Sequence, residues 1–346
     1  MNLVVCFKEV PVEDYLVRRI GEVWSDVELI NVGQDRIAAA LLDADYFCGH
    51  AKVPVDWDRI VAQKRLQWIQ SSAAGMDWCL VPSVIDSEIT ITTASGVLAD
   101  QVAEHTLGLV VGWMRNLPLF LQEQHDNRTN DYRKFIRRPT RDLTNSVVGI
   151  VGFGGVGRRL SQVLAPFKTR ILATDLFPEK KPPHVAELLP VDKLEYLLSE
   201  SDVVILALPL SSETRNLFDI NKFSKMKPNA LFVNVARGSL VVTNDLVDAL
   251  RSKLIAGAVM DVTSPEPLPP DNPLWDFPNV IITPHVAGQF HRRFDNVIDI
   301  FVKNIERFKK GEKLINYLTK EGKKLGFPLR NAGFPLWSDF EQYSPN

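Results

Sequence analysis

The sequence predicts an α/β fold made of two doubly wound parallel sheets with helices on their faces. Two series of short apolar runs alternate with helical patterns along the chain, the pattern of parallel strands joined by helical crossovers. A polar, basic stretch separates the two series, and a glycine loop opens the second one directly after an apolar run. At 346 residues the chain has room for two domains.

In the first series, strands are expected at Leu3–Phe7, Val27–Ile30, Ala44–Phe47, Leu66–Gln70 and Ile89–Thr92, with helical stretches such as Asp35–Leu42 between them. Leu98–Leu121 reads as one long, buried helix stopped near Pro118. Asp126–Leu143 breaks the pattern and carries Arg128, Arg133, Lys134, Arg137, Arg138 and Arg141. A solvated connection is the preferred reading of this run, ahead of a surface for an anionic substrate. The second series places strands at Ser146–Val151, Arg170–Thr174, Val203–Leu206, Leu231–Asn234, Ile255–Met260 and Val280–Thr283. Thr319–Asn346 shows no clear period, and its Phe327, Phe334, Trp337 and Phe340 imply that it packs on something.

Composition removes several function classes. The chain is 45% hydrophobic and 24% charged, close to an ordinary globular protein, so its bulk is not disordered. Forty Lys and Arg against 42 Asp and Glu leave a formal charge of −2, which argues against a nucleic-acid partner. Met1–Glu9 lacks the basic start and apolar stretch of a signal peptide. No run approaches the ~18 apolar residues of a membrane span. Cys6, Cys48 and Cys79 are an odd set without metal-ligand spacing, read as small buried apolar residues in a reducing compartment. The expectation is a cytoplasmic protein with no metal site.

Val147–Val151 leads into Gly152-Phe153-Gly154-Gly155-Val156-Gly157, a G-x-G-x-x-G loop between an apolar strand and a helical pattern. The first glycine permits the tight turn, the second lets a pyrophosphate approach the backbone, and the third allows close helix–strand packing. The helix N-terminus supplies N–H groups and a positive dipole end for the phosphates. Asp175 ends the next strand, 18 positions beyond Gly157, where a carboxylate accepts from ribose hydroxyls and repels a 2′-phosphate. NAD is therefore favoured, and Lys180 and Lys181 keep NADP open.

Three further segments follow strands of this second series. Asn234-Val235-Ala236-Arg237-Gly238 carries Arg237, the Asp261–Pro269 stretch carries Glu266, and Thr283-Pro284-His285-Val286-Ala287-Gly288 carries His285. An Arg holds a carboxylate through its fork of donors. A His exchanges the proton of a hydroxyl–carbonyl pair near neutral pH, and a neighbouring Glu orients the ring and favours its cation. Downstream of a dinucleotide loop, the three point to hydride transfer at a carbon bearing oxygen.

These segments resemble the D-isomer-specific 2-hydroxyacid dehydrogenases, which include glyoxylate/hydroxypyruvate reductases and phosphoglycerate dehydrogenases. The resemblance runs from about Ala44 to about Gly311 and includes Ser72-Ala73-Ala74-Gly75-Met76-Asp77, Val102-Ala103-Glu104-His105 and Leu208-Pro209-Leu210. It implies a Rossmann NAD-binding domain, residues 98–288, inserted in a flavodoxin-like substrate domain, residues 1–97 and 289–346. An active-site cleft between the two, with crossings near Val97 and Ala287, is expected with it. It implies Arg237, Glu266 and His285 as catalytic triad, and Ala74 and Gly75, with Arg237, as receivers of the substrate carboxylate. Asp261 is implied to contact the nicotinamide carboxamide, and Pro209, His285 and Gly288 join Gly152, Gly154, Gly155, Val156, Gly157 and Asp175 in the cofactor set. The implied reaction is hydride transfer between NAD(H) and a small 2-oxo or D-2-hydroxy acid, in a homodimer formed largely through the NAD domain.

Formate dehydrogenases resemble this family but usually carry Gln where this chain has Glu266, which favours hydroxyacid chemistry. Tyr132 departs from the Trp of many relatives, and the tail beyond about Leu318 has no counterpart. An NAD(H)-sensing binding protein, of the kind of the corepressors that resemble the family, is the alternative. Turnover of NADH with any 2-oxo acid separates the two.

Overall fold

The computed structural model describes residues 1–127 and 140–329. The chain divides into one unit of Met1–Leu98 with Phe290–Asn346 and another of Ala99–Gln289. Arg128, Tyr132, Arg133, Lys134, Arg137 and Arg138 lie outside the described residues, as do Phe334, Trp337 and Phe340.

In the first unit, β1 (Asn2–Cys6), β2 (Glu28–Asn31), β3 (Tyr46–Gly49), β4 (Trp68–Ser71) and β5 (Thr90–Thr92) form a parallel sheet in the order β2-β1-β3-β4-β5. That is the flavodoxin-like order, as the resemblance implies. The crossovers carry α1 (Asp14–Val23), α2 (Ile37–Ala40), α3 (Trp57–Gln63) and α4 (Pro82–Asp86). Along β1 the side chains alternate between two cores: Leu3 and Val5 face one, Val4 and Cys6 the other. A strand covered on both faces must be apolar throughout, which is why β1 reads as a continuous run.

The second unit opens with α5 (Ala99–Met114) and α6 (Leu117–Asn127). The single helix expected over Leu98–Leu121 is thus two. Asn116, at φ 56°, takes the left-handed conformation between them, and Pro118 falls in the first turn of α6, where its missing N–H costs nothing. Then follow β6 (Val147–Val151), α7 (Gly155–Leu164), β7 (Arg170–Asp175), β8 (Glu187–Pro190), α8 (Leu194–Glu200), β9 (Val203–Leu206), α9 (Ile220–Ser224), β10 (Leu231–Asn234), α10 (Thr243–Arg251), β11 (Gly257–Met260) and β12 (Val280–Ile282). The parallel order is β12-β11-β10-β9-β6-β7-β8. It reverses between β6 and β9, the switch point at which such sheets bind dinucleotides. Strand β8 goes beyond the sequence reading. It pairs with β7 at the sheet edge, where Pro190 ends it.

Arg141, the last of the basic run, donates to the Asn229 carbonyl and lies 5.2 Å over the Trp113 ring. It is therefore a structural contact.

The chain returns to the first unit as α11 (Arg293–Lys309), burying Val297, Ile298, Phe301 and Ile305 in the core that holds Leu3 and Leu16. A short α12 (Lys320–Leu325) follows, in a stretch without a visible period. Thr319 caps its start through Gly322 N–H, and Gly326, at φ 79°, ends it.

All three cysteines are buried and unpaired. Burial pushes the Cys6 thiol up to about 11, and Cys48 and Cys79 are also raised. Among the described residues no helix is long and apolar enough to cross a membrane. Nor does any group of three His, Cys, Asp or Glu converge on a metal position among them.

Candidate active site

The glycine loop leaves β6 at the switch point. Gly152 has φ 96°, and a Cβ there would lie 2.7 Å from the Ala207 carbonyl oxygen. Only glycine makes this turn against the end of β9, which continues into Leu208 and Pro209. Thr214 Oγ1 fixes the Pro209 segment by donating to its carbonyl at 2.8 Å.

Gly154 is the N-cap of α7 and has no capping side chain. Gly155 and Val156 begin the helix, and Gly157 is buried in its first turn. A Cβ built on Gly154 meets nothing within 4 Å. Open space over the middle glycine, beside the N–H end of a ten-residue helix, fits a pyrophosphate.

Asp175 closes β7 beside this loop. Its Oδ2 accepts from Phe153 N–H at 2.7 Å and its Oδ1 from Phe177 N–H at 2.9 Å. A carboxylate offers about four lone-pair sites, so it retains capacity for ribose hydroxyls. Arg158 lies 4.8 Å over the Phe153 ring and donates to the carbonyls of Lys180 and Glu179, tying down the following loop. Lys181 donates to Val185 O, whereas Lys180 is exposed. The residues present fit a dinucleotide.

Arg237 follows β10. The buried Asn234 clamps its loop, accepting from Ala236 N–H and donating to the Arg237 carbonyl at 2.9 Å. A Cβ at Gly238 would collide with the Thr263 carbonyl, so the Arg237 loop lies directly on the loop carrying Glu266. That second loop is held by Thr263 Oγ1 on the Pro265 carbonyl and Thr243 Oγ1 on the Ser264 carbonyl. Glu266 Oε1 then lies 2.6 Å from His285 Nδ1, with both side chains about half exposed.

His285 itself has φ 54°, a left-handed backbone that costs a non-glycine residue about 1–3 kcal/mol. Its N–H donates to the Asp261 carbonyl at 2.8 Å. The buried Asp261 carboxylate receives Thr283 Oγ1 at 2.6 Å and the N–H groups of Val286 and Ala287, each at 3.0 Å. The resemblance implied a cofactor contact for Asp261; in the structure its carboxylate is engaged by the loop that carries His285, which continues to Gly288. Thr283, Asn234 and His105, whose ring lies 3.2 Å from Thr283 Oγ1, were given no role from sequence. Asn234 acts within its own loop, on Ala236 and Arg237, whereas Thr283 and His105 act across elements, and the Asp261–Thr283 pairing follows the strand register.

Ala74 and Gly75 belong to the other unit, in the loop after β4. Ser71 Oγ accepts from Ala73 N–H, the Ala73 carbonyl accepts from Ala94 N–H, and Met76 is buried, leaving Ala74 at the exposed crest.

Residues 107–287 match the model of the D-isomer specific 2-hydroxyacid dehydrogenase NAD binding domain. A glyoxylate reductase of Thermofilum pendens is 33% identical over 75% of this chain and 76% of its own length. A glycerate dehydrogenase of Methylorubrum extorquens is 30% identical over 75% and 82%. The crystal structure of a D-isomer specific 2-hydroxyacid dehydrogenase from Xanthobacter autotrophicus, in complex with NADPH and MES, superposes with a TM-score of 0.77 at 26% identity, over 93% of this chain and 99% of that one. The chain belongs to the D-isomer specific 2-hydroxyacid dehydrogenase family, enzymes that act on the CH–OH group with a nicotinamide cofactor.

Proposed function

We propose that this enzyme interconverts a small 2-oxo acid of the glyoxylate or hydroxypyruvate type and the corresponding D-2-hydroxy acid, with His285 as acid and base. The observation that carries the reading is the 2.6 Å contact between Glu266 Oε1 and His285 Nδ1, following strands of the sheet that holds the glycine loop. Glu266 accepts from Nδ1–H, which leaves Nε2 as the nitrogen that gives a proton to the carbonyl oxygen or takes one from the hydroxyl. Arg237, whose Nη1 donates to the Ala236 carbonyl at 2.8 Å, is the proposed receiver of the substrate carboxylate in the second unit, and the loop at Ala74 and Gly75 is the candidate receiver in the first. When bound, the nicotinamide supplies or accepts the hydride. Gly152, Gly154, Gly155, Val156 and Gly157 cradle its pyrophosphate, Asp175 takes the ribose hydroxyls and favours NAD, and Pro209, Asp261 and Gly288 complete the set. The names of the two relatives support the substrate class.

The same reading makes the protein a cytoplasmic homodimer. Leu117 and Leu121, 50% and 55% exposed on α6, give the second unit an apolar edge that supports self-association.

The test is a panel of 2-oxo acids with NADH and with NADPH. Glyoxylate or hydroxypyruvate is expected to lead it, and His285→Ala to lose about 10²–10⁴-fold in kcat/KM. No turnover of any 2-oxo acid, or an active His285→Ala, would overturn the reading. Sedimentation at the mass of one chain would remove the dimer.

A further inference from the structure

We infer that His105, on α5, is a positioning residue for His285, acting through Thr283 and the buried Asp261 carboxylate. This rests on the proposed acid–base role of His285 and adds a residue that contacts neither His285 nor Glu266.

The hydrogen-bond directions follow from proton counting. Asp261 Oδ1 and Thr283 Oγ1 are 2.6 Å apart. An ionised carboxylate only accepts, so the threonine hydroxyl spends its one proton there. The 3.2 Å contact between His105 Nε2 and Thr283 Oγ1 must then be donated by the ring, which fixes Nε2 as the protonated nitrogen. The same Nε2 lies 3.5 Å from Asp261 Oδ1. One imidazole N–H thus points into the angle between hydroxyl and carboxylate.

What the carboxylate does in turn is visible in the backbone. Val286 N–H and Ala287 N–H converge on its two oxygens, and the left-handed residue just before them is His285. Successive N–H groups beside a left-handed residue form a concavity for an anion. Here the anion is a side chain of the neighbouring strand's end, since Met260 pairs with Ile282 and brings Asp261 opposite Thr283. The reactive histidine therefore owes its backbone conformation to the placement of Asp261, and His105 restrains Asp261 and Thr283 from α5. The contact of Glu266 with His285 bears on the ring instead.

The test uses His105→Leu, His105→Gln and Thr283→Val in the full-length enzyme. The measurements are the single-turnover rate of NADH oxidation by glyoxylate, the KM values, and the imidazole ¹⁵N–¹H resonances of the cofactor-free protein. His105→Leu is expected to slow the single-turnover rate about tenfold with both KM values within about twofold, because a small misplacement of a reacting group costs rate before binding. Gln, which keeps a donor, is expected to recover most of the rate. Thr283→Val, nearly isosteric, is expected to reproduce the loss, and His105→Leu with Thr283→Val to lose no more than the worse single variant. In His105→Leu the His285 Nδ1–H resonance is expected to broaden or shift.

Wild-type rate and an unshifted resonance in His105→Leu would overturn the proposal. So would a loss that Gln does not recover, or additive losses in the double variant. An active His285→Ala would remove the acid–base role instead, and the resonance would still decide whether His105 positions the ring. If His105→Leu does not fold, Thr283→Val and His105→Gln carry the same comparison.

Discussion

Glu266 Oε1 stands 2.6 Å from His285 Nδ1 although the two are 19 positions apart in sequence. They meet because β11 and β12 are adjacent and parallel, so the loops leaving both strands emerge at one edge of the sheet. The contact is short enough for a charge-assisted bond. Glu266→Gln keeps the shape and an acceptor but removes the charge. The reductive kcat is expected to fall about tenfold, the difference between a charge-assisted and a neutral hydrogen bond. The KM for the nucleotide is expected to stay within about twofold. A kcat equal to wild type would mean that the pair is incidental.

Asp175 serves two masters, and its substitution should report both. Its carboxylate already accepts from Phe153 N–H and Phe177 N–H, so it shapes the glycine loop as well as offering lone pairs to a ribose. Asp175→Asn retains one acceptor oxygen and removes the repulsion of a 2′-phosphate. The ratio of kcat/KM for NADH over NADPH is expected to drop about tenfold or more, mostly through KM. A wild-type enzyme that prefers NADPH would refute the assignment outright.

The fold class was legible because both sheets are covered on two faces, so most of their strands are short runs dominated by apolar residues. Strand β8 escaped because it sits at an edge, holds only Leu188 and Leu189 as aliphatic residues, and ends in Pro190. The helix α12 escaped because six residues are too few to show a period. Its signals, Thr319 as cap and Gly326 as terminator, are two single residues in a stretch without a period. Glycine spacing and Asp175 could be read locally, since a loop and the strand after it are sequence neighbours. The hydrogen bonds around Asp261 could not. They join the end of β11, the loop after β12 and the α5 residue His105, whose proximity is a property of packing alone.

The cysteines give a check on burial that is independent of any ligand. Cys6, Cys48 and Cys79 are enclosed in the first unit, and burial raises all three thiols, Cys6 to about 11. A raised value keeps the thiol protonated throughout the neutral and mildly alkaline range, and the protonated form is the unreactive one. The native protein at pH 8 is expected to react with a disulfide reagent over hours or not at all. Denaturation should release all three thiols at once. Rapid modification of a single thiol in the native state would show that one of these sites opens to solvent.

Two glycines of one loop should fail in opposite ways. At Gly152 the backbone stands at φ 96° and an added Cβ would lie 2.7 Å from the Ala207 carbonyl. Gly152→Ala must therefore distort the turn or the end of β9, and the expected cost is about 1–3 kcal/mol of stability with or without nucleotide. Gly154 has an ordinary φ of −75° and nothing within 4 Å of the position a Cβ would take. Gly154→Val is therefore expected to be accommodated in the folded protein, with little change in melting temperature. The added methyls would fill the space over the α7 N-terminus that the pyrophosphate needs, so NADH affinity is expected to fall about tenfold or more, measured by quenching or energy transfer from protein fluorescence. The comparison separates a glycine kept for backbone geometry from one kept for approach. If Gly154→Val bound NADH as well as wild type, the pyrophosphate would have to lie elsewhere than over this loop.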